Sequence, residues 1–267
     1  MPASESAKLR GPLEAAMREA GEIARVTSRR PFRRWTKGKE KSPVSEADIA
    51  VNDFLHRRLR ELAPEAGWLS EETEEHPVAG ASRTTWIVDP IDGTRAFIAG
   101  RPDWTISVAL VEDGRPVLAA LYAPVTEEMF LAVRDKGATR NGASMRRNDA
   151  PDLTGARIAG PKRYLDQIER LCPSVLPQPK VHSLALRLTQ AGSGDLDLAF
   201  SSGGSHDWDL AAADLLVHEA GGVLTDFTGH PLSFNPPHGV HGALVAAGPA
   251  RHRALFELLG DRIPEFA

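Results

Sequence analysis

The stretch Trp86-Ile87-Val88-Asp89-Pro90-Ile91-Asp92-Gly93-Thr94 reads as a β-branched strand that ends in two acids three residues apart, followed by Gly-Thr. Carboxylates at that spacing, fixed by a proline turn, can point at one hard cation. Gly93-Thr94 can present backbone N–H groups to a phosphate, especially if Arg95-Ala96-Phe97-Ile98 opens a helix. Asp before Pro also initiates plain turns, and Gly-Thr is ordinary turn chemistry, so the stretch alone leaves both readings open.

Working outward, Trp104 to Val111 is strongly strand-like, Asp113-Gly114 is a turn, and Val117 to Tyr122 returns. Met129 to Val133 is a further strand, with turns at Lys136-Gly137 and Asn141-Gly142. Consecutive hairpins imply antiparallel pairing rather than a parallel βαβ sheet. On the N-terminal side, Leu13, Ala16, Met17, Ala20, Ile23 and Ala24 have helical spacing, which predicts an amphipathic helix from about Leu9 to Val26. Ser45 to Leu62 forms a second helix, with Pro64 beyond its end. Gly67 to Ser70 is a short strand that runs into the acids Glu71, Glu72, Glu74 and Glu75.

Residues 150–180 are proline-richer and show little periodicity, so a domain boundary is expected there, dividing the chain into 1–149 and 150–267. Beyond it, Leu184 to Gln190 reads as helix and Asp195 to Phe200 as strand. Trp208 to Ala220 is a helix ended by Gly221-Gly222, as a C-terminal cap should be. Val223 to Phe227 and Ala243 to Ala247 are late strands, and Ala254 to Leu259 is a short closing helix.

With 267 residues, 42% hydrophobic and 25% charged, the chain can bury a sizeable core without disulfides. A single cysteine, Cys172, fits a reducing cytosol and has no neighbours that suggest a nucleophile. The net charge of −4 argues against general nucleic-acid binding. The N-terminus lacks a signal-peptide pattern, and no apolar run approaches the roughly 20 residues needed to span a bilayer. A cytoplasmic protein without membrane partners is expected. The basic segment Arg29 to Lys41 reads as a solvated loop, although its aromatics would suit nucleic acid and its charge an anionic small molecule near a site.

Glu71, the Asp89/Asp92 pair and Asp209 are the acids of interest. Hard divalent cations prefer oxygen ligands, whereas His and Cys would suggest zinc. The chain has no HExxH or CxxC and its histidines are scattered, which favours Mg²⁺. Each acid also has a plainer reading: Glu71 as part of a solvated acidic run, Asp209 as a helix cap.

The combination of Ser42-Pro43-Val44-Ser45-Glu46-Ala47-Asp48, Ser70-Glu71-Glu72-Thr73, Asp89-Pro90-Ile91-Asp92-Gly93-Thr94, and Trp208-Asp209-Leu210-Ala211-Ala212-Ala213 with Glu219-Ala220-Gly221-Gly222 resembles the inositol monophosphatase family over almost the whole chain. The family comprises Mg²⁺-dependent, lithium-sensitive phosphomonoesterases. The resemblance implies an α+β fold, a layered αβαβα sandwich with two largely antiparallel sheets, and commonly a homodimer. It implies that Glu71, Asp89 and the Ile91 carbonyl bind a first metal, that Asp89, Asp92 and Asp209 hold a second, and that Glu71 touches a weaker third. It further implies that Asp48 and Thr94 orient or deprotonate the attacking water, and that Gly93 and Thr94 N–H groups hold the phosphate.

The substrate side departs from the pattern. Where the animal enzymes commonly have Gly-Thr-Ala and an acid six residues before the Trp, this chain has His182-Ser183-Leu184 and Ser202, with Asp207 as an additional acid beside Trp208. Thr94 to Ile98 and Leu121 to Val125 look more like 3'(2'),5'-bisphosphate nucleotidases, Lys136-Gly137-Ala138 and Asn141-Gly142 like the inositol phosphatase branch, and Arg95 to Ile98 also like histidinol-phosphatases. The expectation is Mg²⁺-dependent hydrolysis of a small phosphate monoester, leaning to 3'-phosphoadenosine 5'-phosphate, then inositol 1-phosphate, then histidinol phosphate. The competing class is a phosphometabolite-binding protein that kept the fold without turnover; the intact acids argue against it.

Overall fold

The computed structural model describes residues 3–38, 41–73, 83–234 and 239–266. Met1, Pro2, Lys39, Glu40, Glu74 and Glu75 lie outside the described residues. The first half runs α1 (Ala3–Ser28), β1 (Arg34–Lys37), β2 (Ser42–Ser45), α2 (Glu46–Leu62), β3 (Gly67–Ser70), β4 (Thr84–Asp92), α3 (Thr94–Ile98), β5 (Thr105–Glu112), β6 (Arg115–Ala123), β7 (Glu128–Val133), β8 (Ala138–Arg140) and β9 (Ala143–Ser144). The second half runs β10 (Arg157–Ala159), α4 (Lys162–Leu171), β11 (Leu176–Pro177), α5 (Leu184–Ser193), β12 (Leu198–Ser201), β13 (Ser205–His206), α6 (Asp207–Glu219), β14 (Val223–Asp226), β15 (Val240–His241), β16 (Leu244–Ala247) and α7 (Pro249–Leu259).

Strands β3 to β9 form a seven-stranded sheet in sequence order, antiparallel throughout except for the β3–β4 pair. The alternation of its strands sorts side chains onto two faces. Trp86, Val88, Val108, Leu110, Leu118 and Ala120 pack against Leu13, Met17, Val51 and Leu55 of α1 and α2. Ile87, Ala109, Ala119, Leu121 and Phe130 face Leu186, Leu188, Leu210 and Leu216 of α5 and α6. Those two helices also cover one face of a five-stranded sheet ordered β11-β10-β12-β16-β14. The other face of that sheet packs Ile158, Phe200 and Val245 against Tyr164 and Ile168 of α4 and Leu255 of α7. The order helix, sheet, helix, sheet, helix is the expected layered α+β sandwich.

Three expectations change. The second sheet is mixed, because α4 is a crossover that returns β11 parallel to β10, and β12 is parallel to β10 as well. Within the basic segment, Arg34–Lys37 is not a loop but pairs antiparallel with Ser42–Ser45. Segment 150–180 holds β10, α4 and β11, which short length had hidden. The apolar cluster between the sheets draws residues from both halves of the chain, so the layer shared by α5 and α6 ties them together.

Candidate active site

The geometry starts with an irregularity in β4. Ile87 and Asp89 share the face toward α5 and α6, and strict alternation would send Ile91 to that face and Asp92 to the opposite one. Instead Ile91 is packed in the α1/α2 core, and the β4–β5 register shifts between Asp89 and Asp92. Pro90 lacks the N–H that a regular ladder would use there. The bulge flips the phase, so both carboxylates emerge on one face. The expected proline turn is therefore a bulge within a continuous strand.

Three helix starts deliver further carboxyl anchors. Asp48 is the third residue of α2; its Oδ2 accepts from Ser45 N–H at 2.8 Å and Ser45 Oγ at 2.6 Å. Asp209 is the third residue of α6, and its Oδ2 accepts from His206 N–H at 2.6 Å. Asp92 takes the N-terminus of α5: Oδ2 accepts from Ser183 Oγ at 2.6 Å and Ala185 N–H at 2.7 Å, and Oδ1 from Leu184 N–H at 3.2 Å. The positive ends of these helix dipoles favour the ionised acids. Ser183 caps α5 by accepting from Leu186 N–H at 2.9 Å, and its hydroxyl lies 2.9 Å from Thr105 Oγ1.

Asp89, Asp92 and Asp209 each offer an oxygen within 4.8 Å of the others. Glu71, Asp89, Asp92 and Asp209 line one cavity of about 250 Å³ with Ile91, Gly93 and Thr94. Thr94 Oγ1 shares its one proton between Asp48 Oδ1 at 3.2 Å and the Ile91 carbonyl at 3.0 Å, which joins the Asp48–Thr94 pair to this cavity. Gly93 has φ +93°, and a Cβ there would stand 3.2 Å from Ser183 N and 3.3 Å from the Asp103 carbonyl. Only glycine fits that turn without strain.

Burial raises every one of these acids, and repulsion from neighbouring acids adds to it for Asp48, Glu71, Asp89 and Asp209. Burial, then the charge of Asp92, pushes Asp209 up to about 8 despite the His206 hydrogen bond. Burial pushes Glu71 up to about 7, opposed by Lys37 and reinforced by Glu72. Asp48 rises to about 6 through burial, held back by its Ser45 hydrogen bonds. Asp89 is raised well above the ordinary value by burial and then by Glu71, Asp92 and Asp209. Asp92 is raised by burial, although Ser183, Ala185 and Leu184 oppose it. Packed acids that repel one another, with oxygen donors only, match a site for hard cations.

Of the expected substrate-side residues, only His182 lines the cavity. Ser183 is fully buried, with its hydroxyl committed to Asp92 and Thr105. Asp207 is also fully buried, 2.7 Å from His241 Nε2. Ser202 is exposed and does not line the cavity; its carbonyl accepts from Ser201 Oγ.

Several residues escaped the sequence reading. Lys37, from the β1–β2 hairpin, places Nζ 2.7 Å from the Glu71 carbonyl, 3.3 Å from its carboxylate and 2.6 Å from Glu72. Arg95 and Lys180 line the cavity. Asp103 Oδ2 holds His182 through Nδ1 at 2.6 Å and the backbone N–H at 2.8 Å. Burial would raise Asp103, but these His182 hydrogen bonds hold it below the ordinary carboxylate range. The only sequence signal for them was the basic character of Arg29 to Lys41 and the departure at His182.

An acid cluster beside a Gly-Thr turn, between the layers of an αβαβα sandwich, has the donor set of a candidate metal and phosphate site. The family model for inositol monophosphatases matches residues 6–262. Nus factor SuhB of Pseudomonas aeruginosa is 33% identical over 261 residues, covering 93% of this chain and 94% of that protein. Inositol monophosphatase 2 of Solanum lycopersicum is 33% identical over 199 residues, covering 70% of this chain and 75% of that one. The solved structure of extragenic suppressor protein suhB from Bartonella henselae has a TM-score of 0.82 at 27% identity, covering 95% of this chain and 98% of that one. The chain belongs to the inositol monophosphatase family, which is Mg²⁺-dependent, and is a phosphoric monoester hydrolase. No helix among the described residues is long and apolar enough to cross a membrane.

Proposed function

We propose that this protein hydrolyses a small-molecule phosphate monoester by attack of water, with Mg²⁺ held at Glu71, Asp89, the Ile91 carbonyl, Asp92 and Asp209. The observation that carries the reading is the convergence of the Asp89, Asp92 and Asp209 oxygens within 4.8 Å on the cavity that also holds Gly93 and Thr94. Two or three bound ions would neutralise the phosphate dianion and lower the pKa of a bound water. The chain's own part is positioning and proton handling. Backbone N–H groups of Gly93 and Thr94 hold the phosphate, Asp48 accepts from Thr94 Oγ1 and orients it toward the water, and Ser183 and the α5 N-terminus fix Asp92. Asp207 and Ser202 take no part in this reading.

The relatives are named as SuhB proteins and an inositol monophosphatase, which supports inositol 1-phosphate as the runner-up. The lean toward 3'-phosphoadenosine 5'-phosphate keeps its place through the cationic side chains of the cavity, and histidinol phosphate follows. The same Nus factor names bear on the expectation of no nucleic-acid partner, which salt-dependent RNA binding at the exposed Trp35 hairpin would overturn. We place the protein in the cytoplasm, as the single cysteine suggests, and as a homodimer by its family. The test is phosphate release from the three esters with and without Mg²⁺, and with millimolar lithium, which should inhibit. No Mg²⁺-dependent release from any of them, with metal binding intact, would leave the phosphometabolite-binding alternative.

A further inference from the structure

The cavity has a buried floor and an exposed rim. Asp89, Asp92 and Thr94 are 1%, 5% and 8% exposed, whereas Arg95 and Lys180 are open to solvent. A phosphate seated at the Gly93–Thr94 turn therefore directs its organic group toward the rim. Neither Arg95 nor Lys180 has an ion pair among the described residues. Among other basic groups, Lys37 is engaged by Glu71 and Glu72, Arg30 and Arg33 by Glu46, and Arg187 by the Val181 carbonyl and the charge of Asp92. His182, on the same cavity lining, has Nδ1 bound to Asp103, which leaves Nε2 as the ring atom for a ligand.

From this arrangement we infer that the substrate carries a second, non-reacting anionic group, received by Arg95 and Lys180 with His182 Nε2 beside them. This rests on the phosphomonoesterase reading and names its substrate class. A single-phosphate ester with a neutral leaving group gives these two charges nothing to meet beyond the reacting phosphate. A second phosphate gives each a charge-assisted hydrogen bond on the leaving-group side. The assignment moves the anion contact from the basic segment Arg29 to Lys41, where the sequence had suggested it, to the rim.

The test uses matched esters that differ by one phosphate: adenosine 3',5'-bisphosphate against adenosine 3'-monophosphate, and inositol 1,4-bisphosphate against inositol 1-phosphate. The full-length Mg²⁺-loaded protein should prefer the doubly phosphorylated member of at least one pair by roughly tenfold in kcat/KM. Arg95→Ala with Lys180→Ala should abolish that preference through KM, the exchanged pair Arg95→Lys with Lys180→Arg should restore most of it, and added salt should shrink it. No preference in either pair, or a preference that survives the double alanine variant, overturns the inference while leaving the phosphatase reading in place. No Mg²⁺-dependent release from any of the four esters removes both.

Discussion

The acids of this site are held in two different ways. Asp48, Asp92 and Asp209 are fastened to the N-termini of α2, α5 and α6 by backbone N–H groups and by Ser45 and Ser183. Glu71, just past the end of β3, and Asp89, at the bulge of β4, have fewer fixed donors: Asp89 accepts from Ile91 N–H at 3.0 Å, and Glu71 is met by Lys37. Helix anchoring fixes position, and its donors oppose the burial that raises these acids. These two strand-borne acids depend more on a bound cation to define their geometry. The comparison teaches that rigidity follows the helix starts in both halves of the chain, α2 for Asp48 and α5 and α6 for Asp92 and Asp209, and that Glu71 and Asp89, outside any helix start, most need a cation.

The largest effect should come from breaking the anchored group at its centre. Asp92→Asn removes a carboxylate that joins the metal cluster to the start of α5. Turnover should fall by more than the roughly 10–100-fold typical of changes one layer removed from a metal. Circular dichroism should report an intact fold, since the Asn carbonyl oxygen can still accept from Ser183 Oγ and Ala185 N–H. Near-wild-type turnover would show that Asp92 holds no metal.

Ser183→Ala attacks the anchor without touching the acid. It removes the 2.6 Å bond to Asp92 Oδ2 and the cap on Leu186 N–H. Mg²⁺ affinity, read by calorimetry, should weaken by about 10–100-fold, and stability should fall by about 0.5–2 kcal/mol. Unchanged affinity with lost stability would reduce Ser183 to a helix cap and erase the distinction between the two groups of acids.

This contrast also explains what the sequence displayed. The β5–β6 hairpin was legible because two apolar runs flank Asp113-Gly114, and α1, α2 and α6 because their apolar stripes are long. The motif acids were legible because the resemblance fixed them residue by residue. The bulge at Pro90 was not, since a phase flip appears only in which core Ile91 joins. Strands β10 and β11 span three and two residues, too short for a period to show. Asp103 and His182 lie 79 residues apart in sequence, and the Ser183–Asp92 bond spans 91, so only packing reveals them. The same holds for Lys37, whose partner Glu72 lies 35 residues away across a hairpin that lacks an apolar signature.

The smallest effect is one of stability, and it isolates a single anchored acid. Asp209 has a folded-state value of about 8 against an ordinary 3.8. Between those values the metal-free folded state holds a proton that the unfolded chain has released. The contribution is therefore complete below 3.8 and is lost as pH rises through about 8. Glu71 and Asp48 act in the same direction, through about 7 and about 6. Asp197, held below the ordinary range by Arg157 and Arg251 against the opposing effect of burial, acts oppositely, and its contribution is lost only at acid pH. Asp209→Asn mimics the protonated acid at every pH. Without metal, the variant and the wild type should melt together only below the ordinary 3.8, and the variant should melt progressively higher as pH rises toward 9, by roughly 2–4 °C for each kcal/mol. Mg²⁺ should reverse that order at pH 9, because it stabilises the ionised carboxylate that the variant lacks. A wild type that stays the more stable of the two at pH 9 without metal would mean that Asp209 ionises at little cost. The His206 N–H and the α6 dipole would then outweigh burial beside Asp92, and helix anchoring would be strong enough to hold a charged acid with no cation present.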